Sequence, residues 1–231
     1  MKNPILRVNN LTVSIEGESI IKNLSFDVKK RDILTILGPN GAGKTVMLRA
    51  LIGAVPYSGE ISWEKNIKIG YVPQRLPMIK DIPMSVKEFL ELKTASKKEI
   101  IDILNSVGME ESKILEKRVG DLSSGQFQRI LVGWALIGNP DVLLFDEPFE
   151  GIDIASQKTI YNILKKLHKE KSLTIILVSH DLSVVYQFAT NVLCINRKRL
   201  CIGLPKKILT PKNLSNLYGR GIKYYFHKHH D

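Results

Sequence analysis

Three observations predict an α/β protein with a buried, mostly parallel sheet. Short apolar runs recur along the chain, DILTILG at 32–38, VLLF at 142–145 and TIILV at 174–178, each about the length of one strand. Their continuity fits parallel strands covered on both faces, because a half-exposed strand alternates apolar and polar residues. A stretch of helical spacing, VMLRALIG, follows the first run up to a glycine stop at Gly53. Near the N-terminus the pattern changes: ILRVNNLTVSI and SIIKNLSFDV are β-branched and roughly alternating, and EGES between them reads as a turn. That predicts a separate antiparallel β subdomain.

Composition narrows the function classes. With 231 residues, 44% of them hydrophobic, the chain can bury the core of one globular domain with room for an inserted subdomain. The longest apolar runs, such as Ile130–Ile137, fall short of the roughly 20 residues that cross a bilayer. A chain that does not span the membrane is expected. The opening MKNPILRVNN lacks the apolar core of a signal peptide, so a cytoplasmic location is expected. There Cys194 and Cys201 stay reduced thiols, without partner ligands for a metal. The formal charge of +11 is spread over short clusters such as Lys29–Arg31, Lys165–Lys166 and Arg197–Arg199. Scattered clusters favour an ordinary solvated surface with some attraction to acidic lipid headgroups over a nucleic-acid role.

The first buried strand runs straight into GPNGAGKT, which fits G-x-x-x-x-G-K-[ST] at every fixed position. Strand, glycine loop and helix in this order make a phosphate site: Gly38, Pro39, Asn40, Gly41, Ala42 and Gly43 turn backbone N–H groups around an anion. Lys44 is expected on the β- and γ-phosphates and Thr45 on Mg²⁺, so ATP and Mg²⁺ are the expected ligands. A P-loop NTPase core is the expected fold, and the loop alone leaves the family open.

A second apolar strand, VLLFDEP, ends in two carboxylates at the edge where such a loop lies. Asp146 is expected to hold Mg²⁺, and Glu147 to polarise the attacking water. LTIILVSHD repeats the theme, with His180 set to hydrogen-bond the γ-phosphate. KIGYVPQ reads as another strand that ends in Gln74, whose amide can serve either Mg²⁺ or the water. Finally GDLSSGQFQR precedes the apolar helical run ILVGWALIG. Ser123 suits the N-cap of that helix, and the free N–H groups of its first turn make a second anion site.

GPNGAGKT, YVPQ, LSSGQ, VLLFDEP and VSHD, in this order, resemble the nucleotide-binding subunit of ABC transporters over nearly the whole chain. The resemblance implies a RecA-like core and an inserted helical subdomain over about 77–138, where Ser85 with Glu88 and Ser96 with Glu99 have capping-box spacing. It implies a homodimer closed head to tail over two ATP molecules. Each γ-phosphate is then capped by Ser123, Gly125 and Gln126 of the other chain, and Asp153 in FEGID crosses the interface. Integral-membrane permease subunits are the implied partners, with the chain peripheral on the inner face of the membrane. Leu76, Met78, Ile79, Ile82 and Met84 allow two readings, core packing under a loop or a groove for a permease helix.

Two departures stand out: Ile15 occupies the position of the family's adenine-stacking aromatic, and Ser124 replaces the first of two signature glycines. KIGYVPQRLP, LSSGQFQR, EPFEGID and the tail LYGRGIKYYFHKHHD resemble zinc-uptake importers of the zinc, manganese and iron group. Such an importer implies a metal-binding protein outside the membrane. His227, His229 and His230, in the extension at 205–231, then have two readings, a zinc site or a solvated tail. Two other classes compete: an exporter of another substrate, and a soluble nucleic-acid-associated ATPase. The short spacing between loop and signature, and one copy of each, disfavour the latter.

Overall fold

The computed structural model describes residues 4–74, 83–147, 152–179, 181–196 and 199–218. β1 (Pro4–Ile15) and β2 (Glu18–Lys29) form the expected antiparallel pair, turning at Glu16 and Gly17 with φ of 50° and 81°. Positive φ at both central positions is what a two-residue hairpin requires to match strand twist. β3 (Ile33–Leu37) is wholly buried and leads through the glycine loop into α1 (Lys44–Leu51). Next come β4 (Ser58–Trp63) and β5 (Ile69–Val72). Four helices follow: α2 (Val86–Glu91), α3 (Lys97–Ser106), α4 (Glu111–Ile114) and α5 (Ser124–Leu136).

The remainder alternates strand and helix. It comprises β6 (Val142–Asp146), α6 (Ile154–Lys171), β7 (Thr174–Val178), α7 (Leu182–Phe188) and β8 (Asn191–Asn196). β9 (Arg199–Gly203), α8 (Pro205–Ile208) and α9 (Pro211–Tyr218) complete the described chain.

Two sheets result, one of order β2-β1-β4 and one of order β5-β6-β7-β3-β8-β9. The second is parallel from β5 to β8, with β9 antiparallel at its edge. Alternate residues of its central strands face two different cores. Leu34, Ile36, Leu144 and Ile176 pack with Met47 and Leu48 of α1 and with the first sheet. Ile33, Leu143, Phe145 and Ile175 pack on the opposite face against Ile130 of α5 and Leu164 of α6. Burial on both faces is why these strands carry no alternation.

The helical layer is tied down by caps. Ser85 and Glu88 form the reciprocal capping box that their spacing predicts. At α3 only half of it forms: Ser96 accepts from Glu99 N–H, but the Glu99 carboxylate turns elsewhere. It accepts from Gly138 N–H at 2.8 Å and from Thr94 Oγ1 at 2.7 Å, bridging α3 to the turn after α5. Those bonds, with Gly138 N–H first, hold the Glu99 carboxyl below the usual range. The folded state therefore favours ionised Glu99, and its contribution is present above the unfolded value near 4.3 and lost as pH falls. Glu99→Gln is expected to cost about 1 kcal/mol at pH 7. In urea melts the gap to the unaltered chain should close progressively below about pH 4.3.

Candidate functional site: the carboxyl edge of the parallel sheet

The glycine loop leaves the buried end of β3, and two of its glycines are needed for different reasons. At Gly38 a Cβ would meet the Ile195 carbonyl oxygen of β8 at 2.2 Å, so no side chain fits. Gly43 has φ 91°, a region that L side chains rarely adopt. The loop is closed by Ala42 N–H donating to Pro39 O at 3.2 Å. Helix α1 then starts at Lys44, so its first-turn N–H groups and positive dipole end face the loop. The arrangement can receive a phosphate.

Lys44 is 5% exposed, and its ammonium donates to the carbonyls of Gly38 at 3.0 Å and Pro39 at 3.2 Å. It also pairs with Glu147 Oε1 at 3.2 Å. Gln74 Nε2 donates to the other Glu147 oxygen at 3.3 Å. The Lys44 charge thus sits among exchangeable oxygens that phosphate oxygens can replace.

Thr45 Oγ1 donates to Asp146 Oδ1 at 2.9 Å, joining the start of α1 to the end of β6. The Asp146 carboxyl is 1% exposed and burial pushes its pKa up; the Glu147 charge adds to this, while Thr45 and Tyr71 oppose it. A bound cation would reverse that balance by favouring the carboxylate. Thr45 and Asp146 offer hard oxygens of the kind Mg²⁺ takes. No group of three His, Cys, Asp or Glu side chains is gathered for a metal among the described residues. Few protein ligands also suit Mg²⁺, which keeps waters and substrate phosphates around it.

Glu147 has φ 43°, a left-handed backbone unusual outside glycine and costing about 1–3 kcal/mol where it is held. That twist ends β6 and carries the carboxylate toward Lys44 and Gln74.

Ser123 caps α5 as its sequence predicts. Its Oγ accepts from Gln126 N–H at 3.2 Å, while Gln126 Oε1 accepts from Ser123 N–H at 3.1 Å. Among the described residues, the hydrogen bonds of this cap stay within it and do not reach the glycine loop. Gly125 is pinned against α6: a Cβ there would meet Ser156 Oγ at 2.4 Å. Asp153 caps α6 through Ser156 N–H at 2.9 Å, which keeps Ser156 under the turn. Ser124 opens the helix and stands exposed, and Ile15 at the end of β1 is 42% exposed. Met84 is partly buried, and its carbonyl accepts from Val119 N–H at 2.9 Å. His180, Leu76, Met78, Ile79, Ile82, His227, His229 and His230 lie outside the described residues.

Two site neighbours were not legible in the sequence. Tyr71 OH donates to Asp146 Oδ2 at 3.4 Å, and burial, then the Asp146 charge, push its pKa up. Only the pairing of β5 with β6 brings it there. Ser156 is the other, placed by the Asp153 cap. A cleft of about 790 Å³ lies elsewhere, at the opposite edge where β6 and β7 begin, lined by Asp141 and Thr174.

Residues 21–150 match the ABC transporter family. Over all of this chain and 99% of the relative, 36% of residues are identical to the zinc import ATP-binding protein ZnuC of Rickettsia conorii. Identity to zinc import ATP-binding protein ZnuC 1 of Hahella chejuensis is 38%, over 94% of this chain and 84% of that one. A solved metal-chelate type ABC transporter in an inward-facing conformation superposes with a TM-score of 0.83 at 28% identity, covering 94% of this chain and 89% of that one. The chain therefore belongs to the ABC transporter family, as an ATPase subunit homologous to the zinc-import ATP-binding proteins.

Proposed function

We propose that this chain is the ATP-hydrolysing subunit that powers zinc import through a membrane permease, acting as a homodimer at the cytoplasmic face of the membrane. The observation that carries the reading is the convergence of Lys44, Thr45, Asp146, Glu147 and Gln74 at one edge of the sheet. The names of the full-length relatives support zinc as the cargo. Among the described residues no helix is long and apolar enough to cross a membrane. The exporter and nucleic-acid readings have no comparable support.

In this reading the glycine loop binds the phosphates, and Lys44 exchanges its carbonyl and Glu147 partners for β- and γ-phosphate oxygens. Mg²⁺, held by Thr45 and Asp146 with Gln74 beside them, supplies charge neutralisation when bound. Glu147, released by Lys44, accepts the proton of the attacking water, and Gln74 orients that carboxylate or the water itself. His180 holds the γ-phosphate. Ser123, Gly125 and Gln126 of one chain cap the ATP held on the other. The cap at α5 supports this, since its first-turn N–H groups can receive an anion and, among the described residues, its hydrogen bonds do not reach its own chain's loop. The helices between 77 and 138 form the arm that carries the cap, and Leu76, Met78, Ile79, Ile82 and Met84 are proposed to receive a permease helix. His227, His229 and His230 of the 205–231 extension are proposed as a cytoplasmic zinc site. A metal-binding protein outside the membrane supplies the cargo.

Three outcomes test the reading. Glu147→Gln should keep ATP binding, lower turnover by about 100-fold or more, and give an ATP-dependent dimer in light scattering. Ser123→Arg should bind ATP as the unaltered chain does in calorimetry but lose hydrolysis; unchanged turnover would rule out the shared site. Cells carrying Lys44→Ala in metal-poor medium should lose zinc selectively by elemental analysis. A fall in manganese or iron instead would change the cargo, and no change in any metal would refute import.

A further inference from the structure

Cys194 and Cys201 are both free thiols. The sequence shows only two separate cysteines, but the register of β8 and β9 sets them directly opposite each other on an antiparallel pair. Their side chains share one face, in the small apolar cluster with Leu37, Leu214 and Leu217. Cys201 is near enough to Cys194 to help raise the pKa of its thiol. Directly opposed residues of such a pair have Cα atoms about 4.5–5.5 Å apart. A disulfide spans about 4.4–6.8 Å between Cα atoms, so the register puts the pair within bridging range.

The two thiols differ in access. Cys194 is 3% exposed, and burial, reinforced by Cys201, pushes its pKa well above the ordinary thiol range. Cys201 is half-buried and is the group a small reagent reaches first. Their position gives the pair a route to the nucleotide site. Cys194 pairs with Leu37, the last residue of β3 before the glycine loop. The next carbonyl, that of Ile195, packs so tightly on Gly38 that a Cβ there would lie 2.2 Å away. Movement of β8 at Cys194 therefore moves the floor of the phosphate loop.

We propose that Cys194 and Cys201 form a thiol–disulfide site that small organic disulfides oxidise reversibly, and that its closure weakens ATP binding at the adjoining loop. The Cys201 thiolate attacks one sulfur of the small disulfide; that S–S bond breaks, one thiolate leaves and takes up a proton, and a mixed disulfide remains on Cys201. Cys194 gives its proton to solvent and attacks the Cys201 sulfur, expelling the second small thiolate, which is protonated in turn. The sum is two protein thiols and one small disulfide converted to one protein disulfide and two small thiols. Two electrons pass to the reagent.

The test uses the full chain with excess oxidised glutathione as the probe. Remaining thiols are alkylated, peptides are mapped by mass, and ATP affinity is measured before oxidation, after it, and after dithiothreitol. The expected result is a cross-link between Cys194 and Cys201 within one chain, with a rise in Kd for ATP of about fivefold or more that the reductant reverses. Cys201→Ser should bind ATP normally and ignore the oxidant, and Cys194→Ala should stop at a glutathione adduct on Cys201. The proposal is overturned by a stable adduct in the unaltered chain without the cross-link, or by a cross-link between chains. Closure without a change in affinity, or an equal oxidant effect in Cys201→Ser, overturns it as well. None of these readouts depends on the transported cargo.

Discussion

Burial of the central strands on both faces is the constraint from which the rest of the molecule follows. β3, β6 and β7 are buried at every residue. Such strands have no solvated face on which to carry polar chemistry, so it is displaced to their ends. Their parallel direction sends the carboxyl ends of all three to one edge. The phosphate loop after β3 and the acids that end β6 meet there. The hydrogen bond from Thr45 to Asp146 crosses that edge and shows how closely the two ends are matched.

The same constraint explains the electrostatics. Asp146 is the last residue of an apolar strand, so burial disfavours its charge, and the compensation comes from Thr45 and Tyr71. Lys44 is equally enclosed and is stabilised by two loop carbonyls and by Glu147. Each buried charge therefore rests on partners that a polyphosphate and a hard cation can replace. Removing a partner without replacing it leaves a charge in a low-dielectric site, which is costly. Ligand exchange at this edge is consequently coupled to the conformation of the loop, of α1 and of the twisted residue Glu147.

A second mechanical link runs through the helical layer. Gly125 rests on Ser156, and Ser156 is held by the Asp153 cap of α6, the helix that follows the acidic strand. The Glu99 carboxylate ties the other end of α5 to α3 through Gly138. Helix α5 is thus held at its start by the close packing of Gly125 on Ser156 and just past its end by the Gly138–Glu99 hydrogen bond, with its apolar side in the shared core.

The sequence by itself determined the features that local chemistry specifies. The Gly38–Thr45 loop, the acidic end of β6, the hairpin at Glu16–Gly17 and the Ser123 and Ser85 caps all depend on residues within a few positions of one another. Periodicity likewise marked the doubly buried strands. Strand β4 carries no such mark, since it is largely exposed. Tertiary structure alone decided which distant residues touch. It brought Tyr71 to Asp146, turned Glu99 away from its own cap toward Gly138, seated Gly125 on Ser156 and opposed Cys194 to Cys201. The physical reason is that strand order, register and helix packing are set over the whole chain, and a shift of one residue in β5 or β8 would turn Tyr71 or Cys194 to the other face.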